Sequence, residues 1–282
     1  MTWRELCGRL RDAGVDSPEW DAELLLGHFC GVSRASILSN PDVDYSSPAL
    51  AEAVERRAAR YPLQYLLGEW QFYRQTYEVS PDCLIPRSDT ELLVETALRL
   101  LPRGAHFADL CTGSGCIAVS TLAERPDLTA LALEKFPRTL ALAERNAARN
   151  GVSNRFTPQL ADLFDPTPLP VGAKFDAILS NPPYIRPDVI ETLEPELAAE
   201  PIAALDGGED GLCFYRRILD LAPAHLAPGG FVLLEIGYDQ ADALKALAAA
   251  RLLHRGGAAR SRRMQPRRPS SPHKRLTRGI PF

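Results

Sequence analysis

Asn181-Pro182-Pro183-Tyr184 brings a carboxamide, two rigid rings and a phenol together in four residues. Two consecutive prolines remove two backbone donors and hold the chain extended. The Asn side chain, with one acceptor and two donors at its tip, is then presented from a stiff segment. Such a group suits holding a planar amide or an amino-bearing base. A plain strand-terminating turn is the alternative, because Asn-Pro is also a turn signal.

A second group of residues lies upstream. Asp109-Leu-Cys-Thr-Gly-Ser-Gly115 supplies two glycines that allow backbone conformations and close approaches closed to other residues. No Gly-Lys-Ser/Thr follows, so this is not a phosphate-cradling Walker loop, and the full GxGxxG of dinucleotide sites is also missing. Glu134 ends the next apolar run, where a carboxylate could accept from both hydroxyls of a ribose. An exposed surface Glu is the plainer alternative. Ala161-Asp162-Leu163-Phe164 follows a third run. Asp162 could accept from an adenine amino group and Leu163 cover the ring, or Asp162 could simply cap a turn. Three loops converging on one nucleoside, with no Lys-bearing phosphate cradle, favour S-adenosylmethionine as the cofactor.

The elements that must position these residues alternate along the chain. Ala105–Cys111, Leu128–Glu134, Phe156–Leu160, Phe175–Ser180 and Phe231–Ile236 read as strands. Helices are expected at 115–124, at 138–150 ending on Gly151, and at 212–226 closed by Pro228-Gly-Gly. Alternation of this kind predicts an α/β fold, a doubly wound and mostly parallel sheet with helices on both faces. Ligands of such sheets bind beyond the C-terminal strand ends, where Asn181 stands. Residues 1–70 carry only helical signals, including Glu19–Gly27 and a Ser47-Pro48 helix start, and read as a small helical bundle. Trp70, Phe72, Tyr73, Tyr77 and Val79 predict a β-hairpin connector over 71–86. The expected domains are 1–70, 87–250 for the catalytic sheet, and a tail from 251 to 282.

With 45% hydrophobic and 24% charged residues, the chain reads as a globular protein without a membrane span or signal peptide, and cytoplasm is the expected location. Its six cysteines form no CxxC pair and no His cluster accompanies them, so no metal site or disulfide framework is expected. Residues 251–282 hold ten basic and no acidic side chains, leaving 22 basic against 36 acidic in the body, a net charge of −14. A body that acidic is not built to clamp nucleic acid.

Taken together, these residues resemble a class I S-adenosylmethionine-dependent methyltransferase, and more narrowly the HemK-type release factor glutamine methyltransferases. The narrower likeness rests on Asp21-Ala-Glu-Leu-Leu-Leu26, Pro62-Leu-Gln-Tyr65, Leu84-Ile-Pro-Arg-Ser-Asp-Thr-Glu-Leu-Leu-Val94 and Asp206-Gly-Gly-Glu-Asp-Gly-Leu212. It runs from about residue 1 to 250. The resemblance implies N5-methylation of the glutamine in the Gly-Gly-Gln motif of class I peptide chain release factors, with the helical domain recognising that partner. It implies that Cys111, Thr112, Gly113, Ser114, Gly115, Glu134, Leu163 and Asn181 contact the cofactor, and Asn181, Pro182, Pro183 and Tyr184 the glutamine. Within that scheme the Asn181 oxygen and the Pro182 carbonyl would each accept one amide N–H, and Tyr184 would pack over the amide. The family often has Gly at Cys111 and Asp at Glu134, and both changes read as mild. A monomer without direct nucleic-acid contact is expected.

Rival readings are an adenine N6-methyltransferase with the same clamp, a ribosomal-protein glutamine methyltransferase, and a non-catalytic release-factor-binding protein. Beyond Ala250 the resemblance stops. The Pro- and Arg-rich tail has no strand alternation, so it is expected to be poorly ordered. It reads as a shifted reading frame or as a basic arm for RNA. With no strand pair after it, Phe231–Ile236 is expected to be an uncovered, aggregation-prone edge.

Overall fold

In the computed structural model, residues 1–253 and 278–281 are described. The chain divides into two compact units, the first formed by Met1–Glu69 with Leu193–Glu200, the second by Trp70–Thr192 and the chain from Pro201 onward. No helix among the described residues is long and apolar enough to cross a membrane.

The first unit contains α1 (Trp3–Asp12), α2 (Pro18–Cys30), α3 (Arg34–Ser39), α4 (Pro48–Ala58) and α5 (Leu63–Leu67). Each start follows local chemistry. Thr2 and Glu5 form a reciprocal capping box on α1, and the Ser47 hydroxyl accepts from Leu50 N ahead of Pro48 on α4. The helix expected to stop at Gly27 runs on to Cys30 and ends at Gly31, whose φ of 65° supplies the left-handed cap. Leu6, Leu10, Leu25, Leu26, Ile37 and Val54 form the core. An ion network, Asp21–Arg57–Glu196–Arg60, buried at Asp21 and Arg57 and half-buried at Glu196 and Arg60, ties the Leu193–Glu200 piece to the helices, with Arg57 Nε 2.6 Å from Asp21 and Arg60 Nε 2.6 Å from Glu196.

The second unit opens with a hairpin, β1 (Glu69–Phe72) and β2 (Gln75–Glu78), then α6 (Glu91–Leu100). After these come β3 (His106–Leu110), α7 (Cys116–Glu124), β4 (Thr129–Glu134), α8 (Pro137–Arg149), β5 (Phe156–Leu160) and β6 (Phe175–Ser180). The rest is α9 (Pro187–Ile190), α10 (Cys213–His225), β7 (Leu226–Leu234), α11 (Ala241–Leu253) and β8 (Arg278–Pro281). The sheet order is β5-β4-β3-β6-β7-β8, parallel except for β8. Strand residues alternate between two cores. Phe107, Ala130, Ala177 and Leu233 face α6, α7 and α8, whereas Ala108, Leu131, Ile178 and Val232 face α10 and α11. Burial on both faces explains why the inner strands β4 and β6 read as nearly unbroken apolar runs, whereas the edge strand β5 buries only Phe156.

Three expectations need correction. The last parallel strand is Leu226–Leu234, not Phe231–Ile236, and Pro228-Gly-Gly lies inside it instead of closing the helix. A register shift between Phe175 and Ala177 absorbs these residues, and a Cβ on Gly230 would sit 3.0–3.2 Å from three carbonyl oxygens. The β7 edge is not uncovered, because Arg278–Pro281 pairs with it antiparallel. The tail expected to be poorly ordered therefore contributes the end of α11 and this strand, while 254–277 and 282 lie outside the described residues.

Candidate active site

The sheet order reverses between β3 and β6, which makes the crevice beyond their C-terminal ends the expected ligand site. Parallel registers keep the strand ends close to flush: Leu110 pairs with Leu133, and Asp109 with Leu179. The Ser180 hydroxyl, fully buried, donates to Leu110 O at 2.5 Å and locks the two strand ends together.

The loop after β3 turns through three left-handed residues, Cys111 (φ 58°), Gly113 (φ 56°) and Gly115 (φ 79°). Beneath it the fully buried Asp109 accepts from Thr112 Oγ1 at 2.6 Å and from Ala118 N at 3.2 Å. Burial pushes its carboxyl up to about 7. Asn146, also fully buried, donates to Ser114 O at 3.0 Å and accepts from Glu78 N at 2.7 Å, so α8 fastens the loop to the hairpin. Glu134 is buried, not a surface residue. It accepts from the backbone N–H groups of Gly113, Lys135 and Phe136, and burial raises its pKa against those bonds. Asp162 pairs with Lys135 Nζ at 2.8 Å and accepts from Phe164 N at 2.9 Å, which keeps its carboxyl below the usual range.

A cavity of about 300 Å³ opens above these loops. Cys111, Thr112, Gly113 and Ser114 line one side, Glu134 another, and Asp162 with Leu163 a third. Asn181 and Pro183 face the same space. Gly115, Pro182 and Tyr184 do not line it. Gly115 instead sits where a Cβ would come 3.2 Å from Ala143 Cβ, so it lets α7 pack against α8. The Tyr184 ring packs against the core beside α10, and burial, with Glu235 nearby, raises its hydroxyl pKa. Sequence reasoning gave no role to Thr90, Phe136, Phe164 or Phe214 in this wall, although all four line it.

Residues 2–68 match the PrmC N-terminal domain family and residues 88–236 the methyltransferase small domain family. A release factor glutamine methyltransferase of Geobacter sulfurreducens is 43% identical over 239 residues, which is 83% of this chain and 82% of that protein. This chain belongs to the release factor glutamine methyltransferase family. A member from Moorella thermoacetica is 41% identical over 259 residues, 89% of this chain and 90% of the relative. The fold is shared more widely. P. horikoshii TYW2, solved in complex with MeSAdo, superposes with a TM-score of 0.53 at 13% identity, covering 76% of this chain and 70% of that one. The methyl donor is S-adenosylmethionine.

The segments that carried the family likeness have structural work to do. Glu91 accepts from Tyr73 N at 2.8 Å and braces the hairpin turn, where Tyr73 has a φ of 56°. Gly207 and Gly211 press on the backbone of Tyr184. A Cβ on either would come 2.5 Å from it, at Cα for Gly207 and at the carbonyl oxygen for Gly211. Gln240, for which the sequence offers no signal, completes the brace. Its Nε2 donates to Tyr184 O at 2.9 Å and Gly211 O at 3.1 Å, and its Oε1 accepts from Gly237 N and Tyr215 OH. Cys111 is less neutral than its expected reading as a mild change. It holds a left-handed conformation that costs a side-chain-bearing residue about 1–2 kcal/mol and a glycine nothing.

Proposed function

We propose that this protein methylates N5 of the glutamine in the Gly-Gly-Gln motif of class I peptide chain release factors. The observation that carries the reading is the position of Asn181, at the C-terminal end of β6, on the wall of a cavity also lined by the Gly113 loop and Glu134. The cavity suits the cofactor. Its volume of about 300 Å³ lies in the range of small-molecule sites, the glycine loop lines it with Gly113, and Glu134 offers a carboxylate at the adjacent strand end. On this reading Cys111, Thr112, Gly113, Ser114, Glu134, Asp162, Leu163 and Asn181 hold the cofactor, and Gly115 sets the loop against α8. When bound, S-adenosylmethionine supplies an electrophilic methyl group on a sulfonium sulfur.

The protein's own residues must solve a problem of orientation. An amide nitrogen is a poor nucleophile because its lone pair is delocalised. The Asn181 oxygen and the Pro182 carbonyl accept its two N–H bonds, fix the amide plane and aim the nitrogen. Positioning of this kind contributes roughly 7–11 kcal/mol in ideal cases. The substrate nitrogen would give up one proton, through Asn181 or to water, on accepting the methyl group. Tyr184, held through its backbone, fixes the end of the clamp.

In the same proposal, residues 1–70 recognise the release factor, 71–86 link, and 87–250 carry the chemistry. The protein works as a cytoplasmic monomer, and its acidic body keeps nucleic acid away except at the basic tail, 251–282. Mass spectrometry of a release factor incubated with the protein and S-adenosylmethionine tests this. One added methylene on the Gly-Gly-Gln glutamine is expected, and an unmodified glutamine would overturn the reading.

A further inference from the structure

Lys135 and Asp162 stand on neighbouring loops, just past β4 and β5, and both line the cavity. The two strands pair in parallel out to Glu134 and Leu160, so the loops leave the sheet side by side. Lys135 Nζ lies 2.8 Å from Asp162 Oδ2. The carboxylate is pinned from its other side, because Asp162 Oδ1 accepts from Phe164 N at 2.9 Å. The lysine side chain is 57% exposed and the aspartate 29%, and an ion pair that open contributes little to stability. Its place on the cavity wall gives it another use.

The pair presents a fixed acceptor beside a fixed donor. A carboxylate oxygen keeps accepting capacity after one bond, and an ammonium has three N–H donors, of which Asp162 takes one. Neither role can reverse, since an ionised carboxylate only accepts and an ammonium only donates. Adenine carries the complementary pattern on one edge, an amino donor at N6 next to a ring acceptor at N1. Hypoxanthine carries the opposite order, an acceptor at position 6 and an N–H at position 1. Glu134, the residue before Lys135, faces the same cavity with a carboxylate suited to the ribose.

We propose that Lys135 reads the base of the cofactor, its ammonium donating to adenine N1 while Asp162 accepts from the N6 amino group. The inference rests on the placement of Asp162 in the cofactor site above. It adds a specificity-determining side chain, one that tells adenine from a base lacking the N1 acceptor.

Equilibrium binding to the full chain tests this, with S-adenosylhomocysteine and its 1-deaza analogue, in which a C–H replaces N1 and the amino group stays. Wild type is expected to bind the analogue roughly tenfold more weakly, the equivalent of one hydrogen bond to a charged group. Lys135→Met keeps the aliphatic stem and loses the ammonium. It is expected to bind the two ligands within about twofold of each other, so the loss belongs to the pair formed by Lys135 and N1. A merely structural ion pair would weaken both ligands alike and leave their ratio unchanged. The same ratio in wild type and Lys135→Met, or a wild type that does not distinguish the ligands, would overturn the proposal. If Lys135→Met binds neither ligand, Lys135→Ala takes its place in the comparison. Failure of the wild type to bind S-adenosylhomocysteine would overturn the cofactor placement itself, and it shows before any variant is made.

Discussion

Asp109→Asn is expected to change how stability depends on pH. Asp109 is fully buried under the glycine loop, and its Oδ2 accepts from Thr112 and Ala118. Among the described residues, its Oδ1 has no hydrogen-bond partner. Burial raises its pKa to about 7. In the unfolded chain the same carboxyl titrates near 4. The folded state thus binds the proton more tightly than the unfolded state. Stability due to this group is fully present below the unfolded pKa and is lost as pH rises toward the folded value. A shift of roughly three units corresponds to an upper limit of about 4 kcal/mol, of which about 2–3 kcal/mol falls between pH 5 and pH 8.

Asparagine keeps an acceptor for Thr112 and Ala118 and cannot ionise. Its amide nitrogen replaces the unpartnered oxygen at a cost of roughly 1–3 kcal/mol that does not vary with pH. Urea unfolding of both proteins at pH 5 and pH 8 separates the two effects, because every other titrating group cancels in the difference. The stability of Asp109→Asn relative to wild type is expected to rise by about 2–3 kcal/mol from pH 5 to pH 8. A relative stability that changes by less than about 0.5 kcal/mol over that range would refute a carboxyl shifted by burial.

Asn181→Ala is expected to abolish methyl transfer while cofactor affinity, by equilibrium binding, falls less than about tenfold, because Asn181 is one of several cofactor contacts and the loops that carry the others are intact. Gly211→Ala places a Cβ 2.5 Å from Tyr184 O at a φ of 69°, and is expected to cost at least about 2 kcal/mol in thermal or urea unfolding. Gln240→Leu keeps the volume but strands the Tyr184 carbonyl and the Gly237 N–H. Stability is expected to fall by roughly 1–3 kcal/mol, and kcat by more than cofactor affinity.

Local physics explains what could be read in advance. The inner strands of the sheet are apolar on both faces, so β3, β4 and β6 stand out as runs, and the chemistry-bearing residues sit just past their ends. Glycines at a turn and an Asn-Pro-Pro segment announce themselves by type. Contacts between residues far apart in sequence do not. Gln240 reads as an ordinary polar residue before a helix, yet one of its four side-chain hydrogen bonds holds the carbonyl of Tyr184, 56 residues upstream. Tyr184 itself reads as a ring for the substrate, and it lies partly buried against the core that holds α10, a contact that its sequence position does not announce. The Leu193–Glu200 piece shows the same limit at the level of units. Nothing local separates it from its flanks, whereas the Glu196 carboxylate meets Arg57 and Arg60 of the helices, far away in sequence. Likewise Pro228-Gly-Gly carries a helix-stop signal, and the carbonyls of Phe175 and Asp176, packed against Gly230, make it part of a strand. Thr90 shows the same limit inside the site, because its hydrogen bond with Asn181 Nδ2 spans 91 residues and depends on where β6 delivers Asn181.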